Sequence, residues 1–268
     1  MDKRSIGVKG ATLNVTSQGA GPAVLLVHGF PFDHRMWDSL SSYLATKYRI
    51  ITPDLRGFGE STATEGIVTM EQMADDLYAV LHAMDVREPI VLCGLSMGGY
   101  VALQFVKKYA DRLRGLILCD TRTGTDPPQV KENRNLLANS ITEDTRAALA
   151  EGMIPKLFSR RSLSDSAESI DFVRRMIVTQ SPAGIAAASR GMALREDTTD
   201  LLPSLPCPSL VIVGQEDVPS PPEEMRSMAD KLPKSQFIAI GDAGHMTPLE
   251  KPDVFNSAIE TFLGMLPT

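Results

Sequence analysis

Short apolar, β-branched runs alternate along the chain with longer segments of helical spacing, and this alternation is the feature that most restricts the fold. The runs lie at Ala23–Val27, Ile50–Ile51, Ile90–Cys93, Leu116–Cys119, Leu210–Val213 and Phe237–Ile240. Helices are predicted between them at Met36–Thr46, Met70–Met84, Gly98–Tyr109, Pro222–Lys231 and Asp253–Met265. Neighbouring parallel strands need a crossover connection, which is usually a helix. The alternation therefore predicts the α/β class, with a mostly parallel sheet flanked by helices.

The start of the chain and one gap in the alternation complete the predicted organisation. Ser5–Val8 and Thr12–Gln18 have the pattern of an antiparallel pair, which brings the sheet to eight strands. Strand patterns are missing from residues 121–195, where helical segments with many apolar residues follow one another. We therefore predict a core formed by residues 1–120 and 196–268, with a smaller helical module inserted between them.

The composition excludes several function classes. The 268 residues carry a formal net charge of -6 without a block of Lys or Arg, so neither nucleic acid nor an anionic membrane is an expected partner. No run approaches the roughly 20 apolar residues of a membrane-spanning helix, and Met1–Gly10 lacks the apolar stretch of a signal peptide. Cys93, Cys119 and Cys207 lie in apolar runs without ligand spacing, which predicts buried, reduced cysteines and a cytoplasmic protein.

The strongest local motif is a GxSxG sequence, Gly94–Gly98, between a predicted strand and a predicted helix. Glycines two residues before and after the serine are needed because a tight strand-to-helix turn brings backbone too close for side chains. The turn also places Ser96 Oγ beside a helix N-terminus, which favours developing negative charge. Ser96 is therefore the predicted nucleophile, and the alternative is a glycine-rich turn without a chemical role.

A serine needs a base to become a good nucleophile, and the chain has four histidines. His245 ends the loop Gly241–His245 after the last predicted strand, so its ring can reach the C-terminal edge of the sheet. The others have simpler explanations, because His28 ends a strand, His34 lies in a polar loop and His82 lies within a helix. We predict His245 as the general base.

A carboxylate that orients the base is expected after the strand that precedes the last one. Leu210–Gly214 leads almost directly into Glu216 and Asp217. Asp217 is the predicted acid, since an ionised carboxylate there would accept the Nδ1–H of His245 and stabilise the imidazolium without taking its proton. Glu216 and Asp120 are the alternatives, and a loop aspartate can also simply cap the next helix.

With these residues the chain resembles the α/β-hydrolase superfamily, especially its small esterase and lactonase branch, which includes 3-oxoadipate enol-lactonase-like and carboxylesterase-like members. The chain order Ser96, Asp217, His245 is the order that this superfamily uses. His28–Pro31 and Asp54–Ser61 are further matches. The resemblance extends over essentially the whole predicted core.

The resemblance implies several further roles. It places an oxyanion hole at the backbone N–H groups of Phe30 and Met97, since Pro31 has no N–H, and it makes the module at residues 121–195 the cap of the family. The run Asp54–Ser61 is, by contrast, expected to be structural, since Arg56 and Asp54 can pair and the glycines allow a turn close to the site. No cofactor and no metal are predicted, because the chain shows neither a cysteine and histidine cluster nor a phosphate loop ending in GK[ST].

The implied reaction is hydrolysis of a small-molecule ester or lactone through an acyl-enzyme on Ser96. Family members that open epoxides or displace halide carry an aspartate at this position, so those reactions are not expected. Cofactor-free perhydrolases, carbon-carbon bond hydrolases and hydroxynitrile lyases stay open. A ligand-binding receptor also stays open and would differ by cleaving its ligand about once instead of cycling.

Apolar residues near the predicted catalytic positions suggest a modest acyl pocket. They are Trp37, Phe158, Met176 and Met246, and each could equally belong to the ordinary core. We therefore predict a preference for short or medium acyl groups. A monomer and a homodimer are both compatible with the sequence.

Overall fold

An eight-stranded sheet forms the centre of the protein in the computed structural model, which describes residues 1–267. Its strands are β1 (Asp2–Val8), β2 (Ala11–Gln18), β3 (Ala23–Val27), β4 (Arg49–Pro53), β5 (Ile90–Leu95), β6 (Leu113–Cys119), β7 (Ser209–Gly214) and β8 (Ser235–Ile240). Their order in the sheet is β1-β2-β4-β3-β5-β6-β7-β8. Only the β1–β2 and β2–β4 pairs are antiparallel, and the other five are parallel. The predicted fold class is confirmed.

Helices connect the strands and cover both faces of the sheet. They are α1 (Asp38–Leu44), α2 (Met70–Ala83), α3 (Met97–Tyr109), α4 (Pro128–Ser140), α5 (Arg146–Leu157), α6 (Arg160–Asp165), α7 (Ala167–Val178), α8 (Pro182–Ala193), α9 (Pro222–Lys231), α10 (Thr247–Glu250) and α11 (Pro252–Met265). The helix predicted from residue 36 instead begins as a 3₁₀ turn at His34–Trp37 and ends at Leu44. Among residues 1–267, no helix has both the length and the apolar character needed to cross a membrane.

The parallel strands β3, β5, β6 and β7 are almost entirely buried, which explains their continuous apolar sequences, whereas the edge strand β8 is mostly half-buried. Side chains alternate along a strand, so Val24 and Leu26 of β3 pack into one hydrophobic cluster while Leu25 and Val27 pack into the other. Helices α2, α3 and α9 contribute to the cluster of Leu25, and helices α1 and α11 contribute to that of Val24. The sheet therefore has a hydrophobic cluster on each of its faces.

Five helices, α4 to α8, lie between β6 and β7 in the segment predicted to be a helical module. The described residues 121–195 contain no strand. Ile185 and Met192 of α8 join one sheet cluster, whereas Leu157 and Val173 join the other. The inserted helices therefore share their apolar packing with both faces of the core.

Candidate active site

Ser96 lies at the sharp turn where β5 ends and α3 begins. Its backbone angles are φ 54° and ψ -115°, a left-handed conformation that is uncommon for a residue with a side chain. A Cβ on Gly94 would stand 2.3 Å from the carbonyl oxygen of Gly98, and a Cβ on Gly98 would stand 2.2 Å from that of Val27. The spacing of the motif thus follows from close backbone contacts on both sides of the serine.

Hydrogen bonds from β6 and the loop after it fix the backbone of this turn. The Ser96 N–H donates to the carbonyl oxygen of Cys119 at 3.0 Å. The hydroxyl of Thr121 donates to the carbonyl oxygen of Ser96 at 2.7 Å. The strained conformation is therefore held by the neighbouring strand, and Thr121 is a supporting residue that sequence reasoning missed because no local motif marks it.

Asp217 and His245 lie together in loops that follow β7 and β8. The ring Nδ1 of His245 is 2.9 Å from Oδ2 and 3.0 Å from Oδ1 of Asp217. Both residues are buried. Asp217 Oδ1 also accepts the N–H of Ser220 at 2.8 Å, which fixes the carboxylate in its own loop. The structure thus brings together the predicted acid and base.

The two alternative carboxylates bind other groups. Asp120 accepts the N–H of Gly214 at 2.9 Å and the hydroxyl of Thr247. Burial and then the nearby charge of Asp217 raise the pKa of Asp120 well above its usual range. Glu216 accepts the N–H of Arg160, in the inserted helices, at 3.0 Å. Among residues 1–267, Asp217 is the only carboxylate hydrogen-bonded to the His245 ring.

Ser96 lies across the same edge of the sheet, but no hydrogen bond within residues 1–267 joins its Oγ to the His245 ring. Such hydrogen bonds are often long or misaligned in the absence of substrate. The backbone N–H groups of Phe30 and Met97 likewise donate no hydrogen bond to another part of the described chain. Met97 is the first residue of α3, where N–H groups lack an intrahelical acceptor.

The four predicted pocket residues, Trp37, Phe158, Met176 and Met246, are buried members of a single hydrophobic cluster. Trp37 stacks on Phe255 of α11 with ring centroids 6.2 Å apart, which fits an ordinary core role. Met246 follows His245 directly, and Phe158 lies at the end of α5. Met246 therefore adjoins the predicted base in sequence, and the backbone of Phe158 packs against Gly244 of the same loop.

The ion pair expected between Arg56 and Asp54 is absent from the described structure. Arg56 instead forms a buried two-pronged pair with Asp76 of α2, with N–O distances of 2.6 and 2.8 Å. The turn that contains Gly59, at φ 55°, folds back over Asp54, so the carboxylate receives the Glu60 N–H at 3.0 Å. Arg56 therefore extends toward α2 while Asp54 is satisfied by other donors.

Asp33, His34 and Asp54 bring three potential metal-donor atoms within 4.8 Å of one another. Each already has protein partners, since Asp33 binds Arg35 and Gln180, while His34 Nδ1 lies 2.6 Å from Asp54 Oδ1. This arrangement is an ion-pair network between two loops. Burial opposes the charge on Asp54, but the hydrogen bond and charge of His34 lower the pKa of Asp54 to about 2. Burial likewise opposes the charge on His34, but the hydrogen bond and charge of Asp54 raise the pKa of His34.

His34→Gln is expected to destabilise the protein more at pH 5.5 than at pH 8.5. The raised pKa of His34 means that its charge stabilises the fold fully below its unfolded value near 6.5, and that this contribution is lost as the pH rises through the folded value. Gln can keep a hydrogen bond to Asp54 but not the charge, so the loss at pH 5.5 should be about 1 kcal/mol. Thermal unfolding at both pH values measures it, and the exposed His82→Gln is the control. An equal loss at both pH values would contradict this account of the pair.

Comparisons with known proteins show the family to which the chain belongs. The family model for the alpha/beta hydrolase fold matches residues 22–252. An esterase from Thermogutta terrifontis, solved with malate bound, is 47% identical over the full length of both chains with a TM-score of 0.97. A 3-oxoadipate enol-lactonase from Acinetobacter baylyi is 26% identical, with 96% of this chain and 94% of the relative covered. A putative non-heme bromoperoxidase from Mycobacterium tuberculosis is 29% identical, with 91% and 94% covered. The chain therefore belongs to the α/β-hydrolase family, in its esterase and lactonase branch.

Proposed function

We propose that the protein is a serine hydrolase that cleaves small carboxylic esters or lactones through an acyl-enzyme on Ser96. The observation that carries this proposal is the buried Asp217–His245 pair, with its two hydrogen-bond distances of 2.9 and 3.0 Å, on the sheet edge that also carries the strained Ser96 turn. The similarity to esterases and a lactonase supports the same reaction class.

The Asp217 carboxylate has a definite role in this mechanism. The carboxylate accepts a hydrogen bond from the Nδ1–H of His245. This keeps the proton on Nδ1 and leaves Nε2 free to take the proton of Ser96 Oγ. It also stabilises the imidazolium that forms as Oγ attacks the carbonyl carbon. The proton on Nε2 then passes to the alcohol or enolate leaving group, and His245 next activates the water that releases the acid.

The negative charge of the tetrahedral intermediate needs donors that are not already engaged. The N–H groups of Phe30 and Met97 fit this need, because neither donates to another described part of the chain. Met97 N–H also stands at the start of α3, where the helix dipole favours an anion. Loss of one such donor typically costs about 2.7–4 kcal/mol of transition-state stabilisation.

We assign the acyl pocket to the region where the inserted helices meet the His245 loop. In this proposal residues 121–195 form a cap, and residues 1–120 and 196–268 form the catalytic core. Phe158 of the cap and Met246 of the core line this pocket in the proposal, and both are buried in the same apolar cluster. Trp37 and Met176 belong to that cluster and support its shape.

Purified protein is expected to hydrolyse p-nitrophenyl acetate and butyrate over many turnovers. A modest apolar pocket, as proposed above, should favour these substrates over long acyl chains, so kcat/KM should fall from butyrate to palmitate esters. Steady-state release of p-nitrophenol across the acyl series measures this, with heat-inactivated protein as the blank. The absence of turnover in folded protein, or a preference for long-chain triglycerides over butyrate esters, would contradict the proposal.

Perhydrolysis is a second candidate activity, favoured by the similarity to a putative non-heme bromoperoxidase. Hydrogen peroxide can replace water in attacking the acyl-enzyme, which gives a peracid and frees Ser96. The peracid then oxidises bromide, so no redox cofactor is needed. Bromination of a dye that requires peroxide, a carboxylic acid and Ser96 would support this activity, and its absence would eliminate it.

A further inference from the structure

The loop that carries His245 is held from behind by the carboxylate of Glu250. Glu250 Oε1 accepts the N–H of Gly244 at 2.8 Å and the N–H of Met246 at 3.3 Å. These are the residues on either side of His245. Glu250 is nearly buried, with 9% of its surface exposed, and it forms no ion pair within residues 1–267. Its charge is therefore met by backbone N–H groups.

The same carboxylate also binds the inserted helices. Glu250 Oε2 accepts the N–H of Ser159 at 2.8 Å, and Ser159 lies in the corner between α5 and α6. The neighbouring carbonyl oxygen of Leu157 accepts the N–H of His245 at 2.8 Å and that of Met246 at 3.2 Å. All three N–H groups from Gly244 to Met246 are thus bound either by Glu250 or by this corner.

Close packing adds to these hydrogen bonds. A Cβ on Gly244 would stand 2.8 Å from the carbonyl carbon of Phe158 and from the nitrogen of Ser159, so only glycine allows the loop and the corner to touch. On the other side of the loop, the carbonyl oxygen of Ala243 accepts the N–H of Glu216 at 2.9 Å. The acid loop, the histidine loop and the corner of the inserted helices therefore form one packed unit.

We propose that Glu250 is a positioning residue that latches the His245 loop to the Leu157–Ser159 corner, so that the inserted helices help to set the orientation of the catalytic base. This inference rests on the proposed role of His245. A carboxylate that receives three backbone N–H groups makes charge-assisted hydrogen bonds, which are roughly twice as strong as neutral ones. The corner therefore cannot swing away as a lid without breaking the contacts that hold His245.

Ser159→Pro tests the latch at one atom. Ser159 has φ -63° and Phe158 is extended, so proline fits the backbone at this position. The substitution replaces the N–H that points at Glu250 with a ring carbon, whereas the matched variant Ser159→Ala removes the same hydroxyl and keeps the N–H. Glu250→Gln is the second variant, since a glutamine amide has only one oxygen that can accept hydrogen bonds from backbone N–H groups. Glu260→Gln, on a half-buried carboxylate that is paired with Lys47 and accepts the Tyr43 hydroxyl, is the control away from the site.

In p-nitrophenyl butyrate hydrolysis, Ser159→Pro and Glu250→Gln are expected to lower kcat by roughly 10- to 100-fold, because small misplacements of a catalytic group have effects of this size. KM should change less than about 3-fold, since the two substituted residues, Ser159 and Glu250, are not part of the proposed acyl pocket. The kcat of Ser159→Ala should be at least about 5-fold higher than that of Ser159→Pro. Glu260→Gln should have the wild-type kcat. Circular dichroism and thermal unfolding verify that each variant is folded at the assay temperature.

Proton NMR gives a readout that does not depend on turnover. The Nδ1–H of His245, bonded to a carboxylate, should give a downfield resonance that disappears in Asp217→Asn. Ser159→Pro and Glu250→Gln should shift or broaden it, and Glu260→Gln should not. Unchanged kcat and an unchanged resonance in both latch variants would overturn the inference. An inactive wild type would instead contradict the proposed function, and the resonance would still test the latch.

Discussion

Ser96→Ala is expected to lower kcat for p-nitrophenyl butyrate by about 10⁴- to 10⁶-fold, the largest effect of any single substitution in this protein. Removal of Oγ eliminates the acyl-enzyme route, and only binding and the free N–H groups of Phe30 and Met97 would remain to assist water. Alanine retains the Cβ and can keep the backbone bonds of residue 96 to Cys119 and Thr121. The fold should therefore be preserved.

The control for this substitution is Ser164→Ala, which removes the hydroxyl of an exposed serine in α6. It should keep the wild-type kcat and KM. Steady-state kinetics and thermal unfolding of both variants make the comparison. Retention of more than a few per cent of the activity by folded Ser96→Ala would exclude Ser96 as the nucleophile.

Asp217→Asn is expected to lower kcat by about 10⁴-fold with little effect on folding. An asparagine amide can donate to His245 Nδ1, which favours the tautomer with its proton on Nε2. That nitrogen then cannot accept the proton of Ser96. The loss should appear in both kcat and kcat/KM, because the interaction is required in the transition state and not for binding.

Asp120→Asn is the matched control for Asp217→Asn, because Asp120 is the other buried aspartate that was considered as the residue orienting His245. Burial and the charge of Asp217 raise the pKa of Asp120 well above its usual range, and asparagine has the shape and charge of the protonated carboxyl group that this shift favours. The amide oxygen can still accept the N–H of Gly214. A change in kcat of less than about 5-fold is expected. A severe loss in Asp120→Asn together with an active Asp217→Asn would reverse the assignment of the acid.

The sheet and its main helices could be predicted from the sequence because each is encoded locally. The run Ala23–Val27 coincides with β3 and Pro222–Lys231 coincides with α9. Burial on both faces gives such strands a continuous apolar sequence, and flanking glycine and proline residues limit their length. The Ser96 turn could be located for the same reason, since steric contacts around Gly94 and Gly98 require the motif.

Contacts between distant segments could not be predicted in this way. Arg56 pairs with Asp76, and Asp54 pairs with His34, although the sequence places Arg56 only two residues from Asp54. The partners of these two side chains depend on the conformation of the turn that follows Asp54, in which Gly57 and Gly59 are left-handed. Glu250 was missed because its partner Ser159 is 91 residues away, in the inserted helices. Its only local signal is a carboxylate five residues after His245.

The most direct test of the account is to label the protein with an arylsulfonyl fluoride, which reacts with activated serines, and to locate the adduct by peptide mass spectrometry. One sulfonyl group should attach to Ser96, and the fraction labelled should equal the fraction of p-nitrophenyl butyrate hydrolysis that is lost. Asp217→Asn, in which His245 is no longer oriented as a base, should be labelled much more slowly. Loss of activity with the adduct on another residue, or full activity with Ser96 labelled, would contradict the central claim that Ser96 carries the acyl group.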